Sequence, residues 1–64
     1  MGAKVRELRE AKGMTQEELA TAIGVPVSTI MNIEDGKEQQ ILVGICRKIA
    51  HVLDVNPDYL LLAE

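Results

Sequence analysis

The chain predicts an all-α fold of five short helices, and four kinds of signal predict it. Apolar residues recur three and four positions apart within each segment, the spacing that lines one helical face. Thr15 is followed three residues later by Glu18, the spacing of a capping box, in which each side chain satisfies a backbone N–H that a helix start leaves without a partner. Gly24 then falls where a left-handed residue ends a helix most easily. Pro26 and Pro57 fit the first turn of a following helix, where the missing N–H is not needed.

In order, residues 3–12 form the first helix, with Val5 and Leu8 facing inward, Ala11 continuing that stripe, and charged residues outside. Gly13 ends it, and Met14 packs back as the chain turns into Thr15. Residues 15–23 form the second helix, with Leu19, Ala20 and Ile23 on one face. Residues 26–35 form the third, with Ile30 and Ile33 facing one way, Val27, Ser28, Met31 and Asn32 facing elsewhere, and Asp35-Gly36 at its end. Residues 42–53 form the fourth, with Val43, Cys46, Ile49, Ala50 and Leu53 as its inward stripe. Gly44 there marks either a frayed start or a close packing contact. Asn56 caps a final helix that runs from Pro57 to Leu62.

The totals narrow the function class. Sixty-four residues make one small domain spanning 1–64. A chain of this size buries only about 60% of its unfolded surface, so good helix geometry or a partner chain has to supply the rest. A single cysteine gives no internal disulfide, and no His/Cys cluster points to a metal. Neither a cofactor nor a membrane segment is expected, and a cytoplasmic location fits a lone thiol without a leader. The formal charge is −3, from 7 basic and 10 acidic residues, and no Lys or Arg lies between Gln16 and Ile33. The basic residues gather instead as Lys4, Arg6, Arg9 and Lys12, then Lys37, then Arg47 and Lys48. On the first helix they read as a solvated face, or as one or two phosphate contacts.

The second and third helices are too short to bury their apolar faces alone. They must cross steeply and lean on the others, which explains a small residue at Ala20. This pair, with Gln16, Leu19, Ala20, Ile23, Gly24, Val25, Ile30, Ile33, Glu34 and Gly36-Lys37, resembles the helix-turn-helix of the Cro and phage-repressor-like (XRE-type) transcriptional regulators. The flanks L-R-E-A-K-G-M-T-Q-E-E-L-A and K-I-A-H-V-L-D-V-N-P-D-Y-L-L agree as well, so the resemblance covers nearly the whole chain. It implies a lambda-repressor-like DNA-binding domain that acts by occupying an operator. The chain departs from the family at Asp35, at Ile33 where tryptophan is frequent, and in the 37–42 stretch, where Glu38, Gln39 and Gln40 stand in place of a basic residue and a proline.

In a helix-turn-helix the second helix enters the major groove. That makes Val27, Ser28, Met31 and Asn32 the candidates for base contacts. Asn pairs with adenine N6/N7, Ser donates or accepts, and Val touches a thymine methyl, which favours an A·T-leaning half-site. Gln16, at the start of the preceding helix, with Thr29 and Lys37, are the candidates for phosphate contacts. Glu34 resembles the family glutamate and is expected to pair with a nearby Lys or Arg. The resemblance also implies a homodimer. The surplus apolar residues Ile41, Leu42, Ile45, Tyr59, Leu61 and Leu62 either form its interface or are ordinary core.

No catalytic residue is expected. His51, the one histidine, has no evident partner, and Cys46 lies on an inward stripe. A second reading keeps the scaffold and changes the job: a protein-interaction or antitoxin-type module, binding a protein partner such as a toxin and little or no DNA. The acidic balance favours that one, and the polar Ser28/Asn32 face favours double-stranded DNA.

Overall fold

The computed structural model describes residues 1–37 and 43–61. The expected all-α class holds. Five helices follow one another, α1 (Gly2–Ala11), α2 (Gln16–Ile23), α3 (Val27–Glu34), α4 (Val43–Leu53) and α5 (Pro57–Leu61), and no strand occurs among the described residues. Ile41, Leu42 and Leu62, assigned above to a dimer interface, lie outside the described residues, as do Glu38, Gln39 and Gln40.

Local chemistry sets the helix ends. Thr15 Oγ1 accepts from the Glu18 backbone N–H at 3.0 Å, and Glu18 Oε1 accepts from the Thr15 N–H at 2.8 Å, so the capping box is complete. Gly24 sits at φ 76°, which lets the Val25 N–H turn back to the Ala20 carbonyl at 3.0 Å and closes α2. The end of α4 has the same shape without a glycine. Asp54 holds φ 62°, and the Val55 N–H reaches the Ala50 carbonyl at 2.9 Å. At the start of α5, Asn56 Oδ1 accepts from the Asp58 N–H at 2.8 Å, the cap expected of it.

The core draws on every helix. Val5 comes from α1, Leu19, Ala20 and Ile23 from α2, Ile30 and Ile33 from α3, Cys46, Ile49, Ala50 and Leu53 from α4, and Leu60 from α5. α2 packs on both α3 and α4, α1 lies against α3 and α4, and α5 lies against α4.

Three inward assignments need correction. Leu8 is only half-buried and Ala11 is exposed. The face that α1 turns to α3 carries Gly2, Val5, Arg6 and Arg9, at i, i+3, i+4 and i+7. The apolar spacing of Val5 and Leu8 pointed one position away from it, because a paired arginine occupies what looks like a solvent position. Val43 is the third case, 53% exposed at the first residue of α4. Nor does Gly44 make a close contact among the described residues, where a Cβ there would meet nothing within 4 Å. Gly2 does. A Cβ at that position would collide with the Ile33 carbonyl oxygen and stand 2.9 Å from that of Glu34. The start of α1 thus touches the end of α3 backbone to backbone.

Candidate nucleic-acid interface

α3 divides cleanly by face. Ile30, Ile33 and Glu34 are buried, while Ser28, Met31, Asn32 and Asp35 are exposed at i, i+3, i+4 and i+7. Among the base-contact candidates, Ser28, Met31 and Asn32 therefore share one outward stripe. Val27 does not join it fully, because its side chain is half-buried against the core. Thr29 is also half-buried, and Lys37 is exposed just past the helix, its backbone N–H bonded to the Asn32 carbonyl at 2.9 Å.

Behind that stripe lies a buried polar cluster. The Glu34 carboxylate is fully buried, with 0% of its side chain exposed, and accepts four hydrogen bonds. Arg9 grips it as a fork, Nε to Oε2 at 2.7 Å and Nη2 to Oε1 at 3.0 Å. Arg6 Nε donates to Oε1 at 3.3 Å, and Gln16 Nε2 donates to the same oxygen at 3.1 Å. The third nitrogen of Arg9, Nη1, donates to the Met14 carbonyl at 2.7 Å. One carboxylate on α3 is thereby tied to α1, to the start of α2 and, through Arg9, to the turn between them. Burial alone would push the Glu34 carboxyl up. The donors Arg9, Gln16 and Arg6 outweigh that and hold it below the usual carboxylate value.

Arg9 was read from the sequence as part of a solvated face, and it is buried instead. Glu34, already expected to pair with a cation, is the one sequence signal for the cluster, and it does not say which cations answer it. Arg6 also donates through Nη2 to Asp35 Oδ1 at 3.0 Å, which offsets the carboxylate at the end of α3. Gln16 is where the sequence placed it, at the first position of α2, half-buried, with one amide hydrogen committed to Glu34. The capping box has taken the Glu18 N–H, so the first-turn N–H groups of Gln16 and Glu17 are those α2 has left to offer.

The remaining candidates separate. Ile45 is half-buried against the core, whereas Tyr59 and Leu61 are about half exposed, at 49% and 46%. Lys4 Nζ stands 5.6 Å from the Tyr59 ring centre. His51 is exposed. Cys46 is buried between Met1 Sδ at 3.9 Å and the Pro57 carbonyl at 4.0 Å, and burial, with the nearby Asp58 charge, pushes its thiol above the usual value, away from reactivity. Among the described residues no group of three or more His, Cys, Asp or Glu could hold a metal ion, and no helix is long and apolar enough to cross a membrane.

This geometry, two short crossed helices with the second presenting a polar stripe, can be set beside known proteins. The family model described as "Helix-turn-helix" matches residues 5–60. An uncharacterized HTH-type transcriptional regulator of Archaeoglobus fulgidus is 43% identical over 56 residues, 88% of this chain and 79% of its own length. The chain belongs to the XRE-type helix-turn-helix family of transcriptional regulators. Two solved structures share this regulator's fold. SinR, a master regulator for biofilm formation from Bacillus subtilis crystallised with DNA, gives a TM-score of 0.87 at 32% identity, covering 94% of this chain and 95% of that one. A chain of the SinR–SinI protein complex gives 0.89 at 31% identity, covering 95% of this chain but only 59% of that one.

Proposed function

We propose that this helix-turn-helix regulator recognises double-stranded DNA sequence by laying α3 in the major groove, as a single domain acting in pairs. The observation that carries the reading is the outward stripe of Ser28, Met31 and Asn32 on a helix whose other side is buried and pinned by Glu34. Asn32 supplies a bidentate donor–acceptor edge suited to adenine, Ser28 a hydroxyl, and Met31 an apolar contact. Val27, half-buried, offers only part of its side chain to a thymine methyl. Gln16 and Thr29 serve phosphates, and Lys37 adds a charge at the edge. The resemblance to SinR crystallised with DNA supports this use of the scaffold.

One module of this size makes few contacts, so two copies reading half-sites about 34 Å apart give the affinity that one lacks. Ile41, Leu42, Ile45, Tyr59, Leu61 and Leu62 are assigned to the contact between copies. The exposure of Tyr59 and Leu61, with Val43 beside them in kind, supports an apolar interface there. The protein works by occupancy in the cytoplasm, as a repressor, and carries out no chemistry.

The net charge of −3 and the absence of Lys or Arg from α2 and α3 favour a second reading, in which the apolar residues of α4 and α5 bind a protein and DNA affinity is weak. SinR solved with SinI is a relative with a protein partner. Selection from randomised duplexes at two salt concentrations separates the two. Enrichment of a two-fold-symmetric, A·T-leaning site whose binding weakens steeply with salt is the expected result. No enrichment at either salt concentration leaves the protein-binding reading.

A further inference from the structure

We infer that Glu34 is a positioning residue for DNA binding: its buried carboxylate anchors the Gln16 amide nitrogen, whose second hydrogen is the one a phosphate takes. This rests on the proposal that Gln16 meets the DNA backbone. A glutamine amide has one end that donates two hydrogen bonds and one that only accepts, and the two ends are nearly the same shape. A phosphate takes donors only. An unrestrained Gln16 could present its carbonyl to the phosphate half the time, and that pairing is repulsive.

Glu34 removes the ambiguity. Its carboxylate is an acceptor without a hydrogen to give, so it takes the nitrogen end, Nε2 to Oε1 at 3.1 Å, and rejects the carbonyl end. One amide hydrogen is then fixed inward, and the same nitrogen keeps a second hydrogen with no partner among the described residues, on a half-buried residue at the first position of α2. Two arginines keep the carboxylate charged and aimed. Arg9 holds both of its oxygens, and Arg6 shares Oε1 with Gln16. The same carboxylate is part of α3, so the phosphate-facing amide and the base-facing stripe are built on one rigid pivot. A contact registered on the backbone thereby fixes where Ser28 and Asn32 fall on the bases.

Two measurements test this. In free wild-type protein, NMR of the Gln16 side-chain amide should resolve one hydrogen that exchanges slowly with water and one that exchanges freely. Two hydrogens exchanging alike, as in an exposed glutamine, would overturn the assignment, and this readout needs no variant. The second measurement is a double-mutant cycle in fluorescence anisotropy, with a random-sequence duplex at low salt as the probe. Gln16→Ala should weaken wild-type binding about tenfold, the size of a charge-assisted hydrogen bond. In a Glu34→Gln background, which offers either amide end, the same change should cost less than about twofold. An undiminished tenfold loss in that background sinks the positioning role and leaves the phosphate contact standing. No loss in the wild type sinks both.

Discussion

Where α1 meets α3, the joint is a fully buried carboxylate held by four hydrogen bonds from two arginines and a glutamine. α4 and α5 also meet, and the buried residues they bring to the core, Cys46, Ile49, Ala50 and Leu53 from the one and Leu60 from the other, are mainly aliphatic. Both joints bury side chains, but they constrain different things. Apolar burial scales with area and is nearly indifferent to angle. Forked hydrogen bonds from a guanidinium act only in one orientation. The protein has placed its directional joint behind the helix that has to be aimed, and its non-directional joint where only cohesion is required.

The largest test breaks the directional joint. Arg9→Ala leaves the Glu34 carboxylate buried without its fork and should cost about 3–5 kcal/mol, a large share of the stability of a domain this small, read as a lowered midpoint of unfolding in urea. Ile49→Ala, in the apolar core of α4, should cost about 2–5 kcal/mol.

Acid tells the two losses apart. In the fold, the Glu34 carboxyl titrates below its usual value. Its contribution is therefore present above the unfolded-chain value, about 4.3, and is lost as pH falls through the lower folded value. The penalty of Arg9→Ala should shrink between neutral pH and pH about 4, as the orphaned carboxyl takes a proton, while that of Ile49→Ala stays constant. Equal pH profiles would mean that the Arg9 side chain stabilises by packing alone.

Asn32→Ala leaves both joints intact. It should remove about 1–3 kcal/mol of discrimination at one base pair of a selected site, with the melting temperature nearly unchanged. The smallest effect concerns a helix end. Asp54 holds a left-handed backbone at φ 62°, and Asp54→Gly should raise stability by roughly 0.5–1 kcal/mol in thermal melts, without touching DNA affinity.

The fold was legible because its signals are local. A hydroxyl three residues before a glutamate, a glycine after an apolar face and an asparagine before a proline each act within one turn, and each does here what its chemistry requires. The outward stripe of α3 was legible for a related reason: once Ile30 and Ile33 face in, Ser28, Met31 and Asn32 face out. The cluster behind it was half-hidden. Glu34 announced a need for a cation, but its partners lie 25 and 28 residues earlier in the chain, and exposed arginines outnumber buried ones too heavily for spacing to single out Arg9. Gly2 gave no signal at all, because a glycine required by a neighbouring backbone looks the same in sequence as one that is merely tolerated.

That glycine has a practical bearing on how mutations in this protein will be interpreted. Position 2 lies off the outward stripe of α3 proposed to meet DNA, and a survey restricted to the proposed contact residues would pass over it. A methyl group there would wedge the first helix away from the carbonyl ends of the third and draw both arginines off their common acceptor. A genetic screen for lost operator control should therefore return substitutions at Gly2 together with those at Asn32: the latter altering the reading edge, the former the cradle that steadies it.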